Sequence, residues 1–241
     1  MRTEDCPSGL WCLLGKQVWI NVHRRFESCI FRALIKGFIM IVIGISGVAR
    51  SGKNLLCNLL MQNLYIEGYT SKQFALASDL KNDCDEFLYK MCDLNVWTDL
   101  TEDKTQFREF LVWYGNLKRK QTNGRYWIEK LDRRISTYEG DVAFVTDVRY
   151  DSYEKDEVHW IKEERKGLLI HLKRFTRDDS NSLQFTKPAN QHESSNDGSL
   201  YTNADINITW ETVKDPKKND AIIDVVNDTT KKIIEKIKKP Y

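Results

Sequence analysis

The sequence has little proline, little glycine and almost no excess of charge: 4 Pro and 12 Gly in 241 residues, with 37 Lys plus Arg against 35 Asp plus Glu. The first two scarcities exclude a fibrous or Pro/Gly-rich disordered chain. With 41% hydrophobic and 30% charged residues, the composition is globular. A formal net charge of +2 gives no whole-molecule case for binding polymeric nucleic acid or a membrane surface, so any anion site must be local. No C-x-x-C pair occurs among Cys6, Cys12, Cys29, Cys57, Cys84 and Cys92, and their spacing fits neither a zinc site nor a disulfide scaffold. Reduced thiols in a cytoplasmic protein are the expectation. The most apolar stretch, from Phe31 to Val48, contains Arg32 and Lys36 and is followed by no small-residue cleavage site, which excludes a membrane span and a signal peptide.

The β-branched run at 38–46 predicts a strand buried on both faces, as in a parallel sheet. Further strands are expected at 73–77, 142–146, 168–172 and 204–208. Helices are expected at 53–65, 80–92, 104–114, 126–137 and 153–165, and a last one led by Asp215-Pro216 as cap and first residue. Strands alternating with helices predict an α/β fold with a mostly parallel central sheet flanked by helices. The polar stretch from Phe175 to Thr202 reads as a lid loop or a long surface loop.

Gly47-Val48-Ala49-Arg50-Ser51-Gly52-Lys53-Asn54 fits G-x4-G-K between a predicted strand and a predicted helix, the context of a phosphate-binding P-loop. Its glycines let backbone N–H groups turn toward phosphate oxygens, and the helix N-terminus adds positive potential. Lys53 is placed to reach the β- and γ-phosphates of ATP. Asn54 stands where Ser or Thr usually faces Mg2+, and its amide oxygen is an alternative ligand. The competing reading is a glycine-rich turn without a ligand.

Asp147 and Arg149 follow a buried strand, on the side where open α/β sheets bind ligands. Asp147 is a candidate for Mg2+ or a helix cap. Arg149 is a candidate phosphate fork or a surface ion pair. Lys81, Arg108, Arg119, Arg125, Arg174 and Arg177 form a reserve of cations. Bringing two phosphates together needs several, although most such charges are simply solvated. His192 is a candidate substrate contact or an exposed loop residue. Trp113 and Tyr114 could stack on a base or pack in the core.

With these pieces in order, the chain resembles the deoxynucleoside monophosphate kinases of bacteriophages and related viruses. The resemblance rests on Ser46 to Lys53, on Phe74 to Lys81, on Arg108 to Gly115 with Arg119 and Trp127, on Thr146 to Tyr150, and on Asn190 to Ser195. Asp79, Ser195 and Glu154 depart from the family pattern, in which proline, glutamate and an earlier glutamate are usual. The resemblance implies a P-loop NTPase fold and transfer of the ATP γ-phosphoryl group, with Mg2+, to a dNMP, giving a dNDP. It implies that Lys53 and Arg50 serve the donor, and that Lys81, Arg108 and Arg149 serve the acceptor or the transition state; Arg174 is a further candidate on the donor side, and Arg119 and His192 on the acceptor side. By the same resemblance Asp147 would stand near the metal, with Asn54 the other candidate ligand. It also implies a homodimer and a location in the host cytoplasm. Two alternatives remain: a P-loop kinase for another small phosphorylated acceptor, and a nucleotide-binding protein without turnover.

Residues 40–241 form the expected kinase domain, with its lid at 174–202, and 1–39 an extension that holds none of the motifs. N-terminal mass analysis of the natively expressed protein is expected to find a start at Met40. A dominant species that keeps Met1 or Arg2 overturns this.

Overall fold

All six residues of β1 (Ile41–Ser46) are buried, as its unbroken apolar run requires. The computed structural model describes residues 40–239; the expected extension lies outside the described residues, as do Cys6, Cys12 and Cys29. Among the described residues, six strands form one sheet. β1 lies between β3 (Val142–Val148) and β4 (Leu168–Arg177), with β2 (Ser71–Phe74) beyond β3 and β6 (Ile206–Glu211) beyond β4, all parallel. β5 (Leu183–Phe185) pairs antiparallel with the far end of β4. The expected α/β class, a mostly parallel sheet flanked by helices, is the observed architecture.

Alternation along β1 divides the core. Ile41, Ile43 and Ile45 face Leu56, Leu60 and Leu64 of α1 (Lys53–Ile66) and Ile222, Val226 and Ile233 of α7 (Asp220–Lys238). Val42 lies in the cluster on the opposite side of the sheet, with Trp127, Ile128, Leu131 and Ile135 of α4 (Arg125–Ser136). Between α2 (Leu76–Cys92) and α3 (Thr101–Gln121), Cys84, Leu88, Val96 and Phe107 form a smaller core. No helix of the described residues is long and apolar enough to cross a membrane.

Several expected boundaries move, for identifiable reasons. The strand expected at 73–77 ends at Phe74, and α2 begins at Leu76. Asp147 caps its first amides from β3, a partner that local sequence cannot reveal. The helix expected at 153–165 is three residues, α5 (Glu157–His159), continued as a π-helical stretch, Trp160–Glu164. Asp215-Pro216 opens only a 3-10 turn, Pro216–Lys218, while Asn219 caps α7 through the amide of Ile222. The expected lid loop contains the end of β4, β5 and a 13-residue helix, α6 (Gln191–Asn203). The last is hidden because only Asn196 and Leu200 are buried, too few to write a helical period.

Trp210 of β6 ties the sheet to the turn after β1. Its indole N–H donates to the Ser51 carbonyl at 3.1 Å, and a side chain on Gly52 would meet its ring at 2.8 Å. Trp210→Ala is expected to cost about 3–5 kcal/mol of stability, as for large buried aromatics. Urea denaturation measures it, and a loss below about 1 kcal/mol would show that Trp210 does not brace the turn.

Candidate active site

The turn between β1 and α1 requires two glycines. Gly47 has φ 132° and Gly52 φ 98°, and a Cβ on Gly47 would lie 2.3 Å from the Leu172 carbonyl oxygen. Arg50, at the loop tip, also has positive φ, and its side chain is exposed. The loop therefore runs hard against β4 and ends at the N-terminus of α1, where amide groups point outward. Ser51 Oγ is buried in this loop without a hydrogen-bond partner among the described residues. The geometry suits a bound anion.

Lys53 Nζ donates to the carbonyls of Gly47 at 2.7 Å and Val48 at 2.8 Å, folded back across the loop. Burial, and then the neighbouring Arg149, lower its pKa from 10.5 to about 8, while Glu193, Asp147 and Asp197 oppose the shift. Arg174 donates to Thr212 Oγ1 at 2.7 Å and to the Arg50 carbonyl at 3.4 Å, which links the loop tip to the residue after β6. Asn54 Oδ1 accepts from Gln73 Nε2 at 3.2 Å.

Parallel pairing brings the end of β3 beside this loop. Asp147 accepts from the amides of Leu76 and Ala77, each at 2.8 Å, so both carboxylate oxygens cap α2. The helix-cap alternative describes its hydrogen bonds. Among the described residues no group of three His, Cys, Asp or Glu is placed to hold a metal ion. Arg149 is half-exposed, with Nη1 3.5 Å from Glu193 Oε1. Glu154 is exposed, and the carboxylate that turns back beneath the strand end is Glu157. Glu157 Oε2 accepts from the amides of Arg149 at 2.6 Å and Tyr150 at 3.0 Å.

Arg119 is buried. Its guanidinium donates to Asp156 at 2.7 Å and Glu157 at 3.2 Å, and it stacks 3.7 Å from the centre of the Tyr150 ring. Burial pushes the Glu157 carboxyl up, with Arg119 pulling the other way. Two acidic partners compensate this arginine, so it holds the site's floor rather than offering a free charge.

In front of the loop opens a cavity of about 360 Å³. One stripe of α3 lines it, Lys104, Phe107, Arg108, Leu111 and Gly115, at spacings of three and four residues. Leu80, Lys81 and Trp127 complete the far wall, with Asn116 and Tyr150 beside Arg119. The Tyr150 hydroxyl donates to Asn116 Oδ1 at 3.2 Å. Lys81 stands 5.0 Å from the centre of the Trp97 ring, and burial and Lys104 lower its pKa. Among the described residues Arg108 and Lys81 have no ion-pair partner. Trp113 and Tyr114 do not line the cavity; Trp113 is exposed and Tyr114 stacks on Phe110.

The structure thus gathers Lys81, Arg108, Asp147 and Arg149 around one space that also touches Ala49 of the loop, while Lys53 is folded back on the loop carbonyls and does not line that space. His192 is exposed at the rim, near Arg149 and Tyr150. Ser195 is turned along its own helix, donating to the His192 carbonyl. Sequence reasoning missed Glu193, Glu157, Lys104, Asn116 and His171. The Asn190-x-x-Glu193 capping pattern could have revealed α6, since the Asn190 side chain caps the Glu193 amide at 2.9 Å. Lys104 lies one turn before Arg108 and was readable from that spacing. His171 carried no signal: it is a fully buried residue of β4 whose Nδ1 lies 3.0 Å from Ser46 Oγ.

No protein-family model matches the chain, and no curated protein matches it in sequence. Among solved structures, the shikimate kinase of Bacteroides thetaiotaomicron aligns with a TM-score of 0.42 and 12% identity, over 80% of this chain and 97% of that one. The crystal structure of APE1195 aligns with a TM-score of 0.36 and 14% identity, over 82% and 97%.

The low pKa of Lys53 has a directional consequence. Below pH 8 its ammonium is available to a phosphate; above that the free protein sheds the proton that a bound polyphosphate requires. ATP affinity, measured by calorimetry, is expected to fall between pH 7 and 9.5, approaching about tenfold per unit above the pKa. Lys53→Met should flatten the profile, and a flat profile in the parent protein would overturn the assignment.

Proposed function

We propose that the chain is an ATP-dependent kinase that phosphorylates a deoxynucleoside monophosphate to the diphosphate. The observation that carries this reading is the continuity between the phosphate loop and the adjoining cavity. Ala49 of the loop lines the cavity together with Lys81, Arg108 and Arg149, and with an apolar wall of Leu80, Phe107, Leu111 and Trp127. Such a wall suits a flat base, and the cations suit the phosphate of the acceptor. The volume lies in the range of small-ligand sites, about 300–1,000 Å³. The resemblance of the ordered motifs to the viral kinases supports the same assignment.

ATP would lie with its phosphates on the loop amides and Lys53. Mg2+ usually keeps several waters and needs few protein ligands beside the phosphates, so Asn54 and the remaining lone pairs of Asp147 would suffice. The acceptor's phosphate oxygen is already an anionic nucleophile, so no strong base is needed. What the protein supplies is alignment and neutralisation of charge as two phosphates approach. Arg149, whose backbone amide donates to Glu157, would bridge donor and acceptor. α6 would shield the phosphates from water.

A panel of dNMP acceptors with ATP tests the reading. At least one is expected to be phosphorylated, with clear ranking among bases. Lys53→Ala should lose about 3 kcal/mol or more of transition-state stabilisation, roughly a hundredfold in rate. Folded protein that phosphorylates no dNMP ends the proposal. Turnover of a different phosphorylated acceptor, promoted by the same cations, would establish the broader kinase reading instead. Nucleotide-induced stabilisation without product would mark a binding protein.

A further inference from the structure

The lid region contains a carboxylate that the motifs do not account for. Glu193, in the first turn of α6, is not solvated. Its side chain is 8% exposed, and its Oε2 accepts from the amide of Ala49 in the phosphate loop at 3.2 Å and from the amide of Ala189 at 2.9 Å. Its Oε1 faces Arg149 Nη1 at 3.5 Å. A single carboxylate therefore engages a loop amide and an arginine, two donor types suited to a phosphate group. One turn further along the same helix, Asp197 Oδ1 stands 3.5 Å from His171 Nε2, and His171 contacts Ser46, the residue that precedes Gly47. The two acidic residues thus set the same side of α6 against both the start and the body of the loop.

We infer that Glu193 is a positioning residue that acts as an internal substitute for a phosphate oxygen: it holds α6 over the phosphate loop and Arg149 at the lid, and an arriving nucleoside triphosphate displaces it. This rests on the reading of the loop as the ATP site. The physical argument is competition. The Ala49 amide cannot serve the carboxylate and a phosphate oxygen at full strength together, and two anions on one loop repel. The contact is also one that can open, because α6 buries few side chains and its hold on the loop is polar. Displacement breaks the pair between Glu193 and Arg149 and leaves the arginine for the phosphates, so donor binding and the arming of Arg149 become one event.

The test is ATP affinity, measured by calorimetry on the parent protein and on Glu193→Gln and Glu193→Ala, with the thermal midpoint of each recorded. Glu193→Ala is expected to bind ATP about tenfold more tightly, the scale of one charge-assisted contact removed from the competition. Glu193→Gln, which keeps an acceptor oxygen but not the charge, should fall between the two and lower the KM for ATP. Glu193→Gln is nearly isosteric and decides the matter if the alanine variant does not fold. A residue with a merely structural role would lower the thermal midpoint without tightening ATP. Equal or weaker ATP affinity in both variants, with a parent that binds ATP, overturns the inference alone. Failure of parent and variants alike to bind ATP or inorganic tripolyphosphate overturns the reading of the loop, and the inference with it.

Discussion

The parallel pairing of β1 with β3 is the constraint on which the candidate site depends. Its register runs from Ile41 opposite Val142 to Gly44 opposite Val145, then shifts so that Ser46 lies opposite Val148. Parallel strands end on the same side of a sheet. The turn that begins at Gly47 and the segment Asp147 to Arg149 are therefore adjacent, although a hundred residues separate them. Every later feature uses this adjacency. Asp147 can cap α2 and so place Leu76, Leu80 and Lys81 along the cavity, and Arg149 can reach Glu193 of α6, which also touches the loop.

Charge around the site is arranged in two layers. In the lower layer Arg119 is enclosed with Asp156 and Glu157, and removing one partner there would strand buried charge, a loss of about 3–5 kcal/mol in comparable cases. That cluster fixes the backbone at Arg149 and Tyr150, because Glu157 also receives their amides. In the upper layer Lys81, Lys104 and Arg108 face the cavity, and the Arg149 guanidinium has, among the described residues, one long ion-pair contact, to Glu193. Compensated charge builds the floor, and cations with few or weak partners are left for an anionic ligand. The near-neutral total of the chain thus conceals a local excess of positive charge.

The loop from Gly47 to Gly52 is held on three sides by unlike means. β4 approaches Gly47 so closely that no Cβ fits, Trp210 packs beneath Gly52, and Glu193 of α6 receives the Ala49 amide. The first two are close steric and buried contacts, which make a stiff support. The third is polar and draws on a helix with little core of its own. The loop thus has a close-packed back and a polar front.

The sequence by itself determined the elements whose stability is one-sided burial. β1, α1, α4 and α7 carry their apolar period in the chain, and the glycines of the loop declare a backbone that other residues cannot adopt. The G-x4-G-K turn, the D-V-R segment and the cationic candidates stand out in the chain for a related reason, as residue types whose chemistry is local. The tertiary structure alone decided what depends on a distant partner. The start of α2 is set by Asp147 from β3, Arg119 is turned from a free cation into a compensated one by Asp156 and Glu157, and α6 exists with two buried side chains and a cap. The glutamates that accept backbone amides there, Glu157 and Glu193, lie three residues after Glu154 and two residues before Ser195. Periodicity and motif spacing record what a segment does with its own neighbours; they are silent on a polar contact made across the sheet, where hydrogen-bond geometry rather than burial selects the residue.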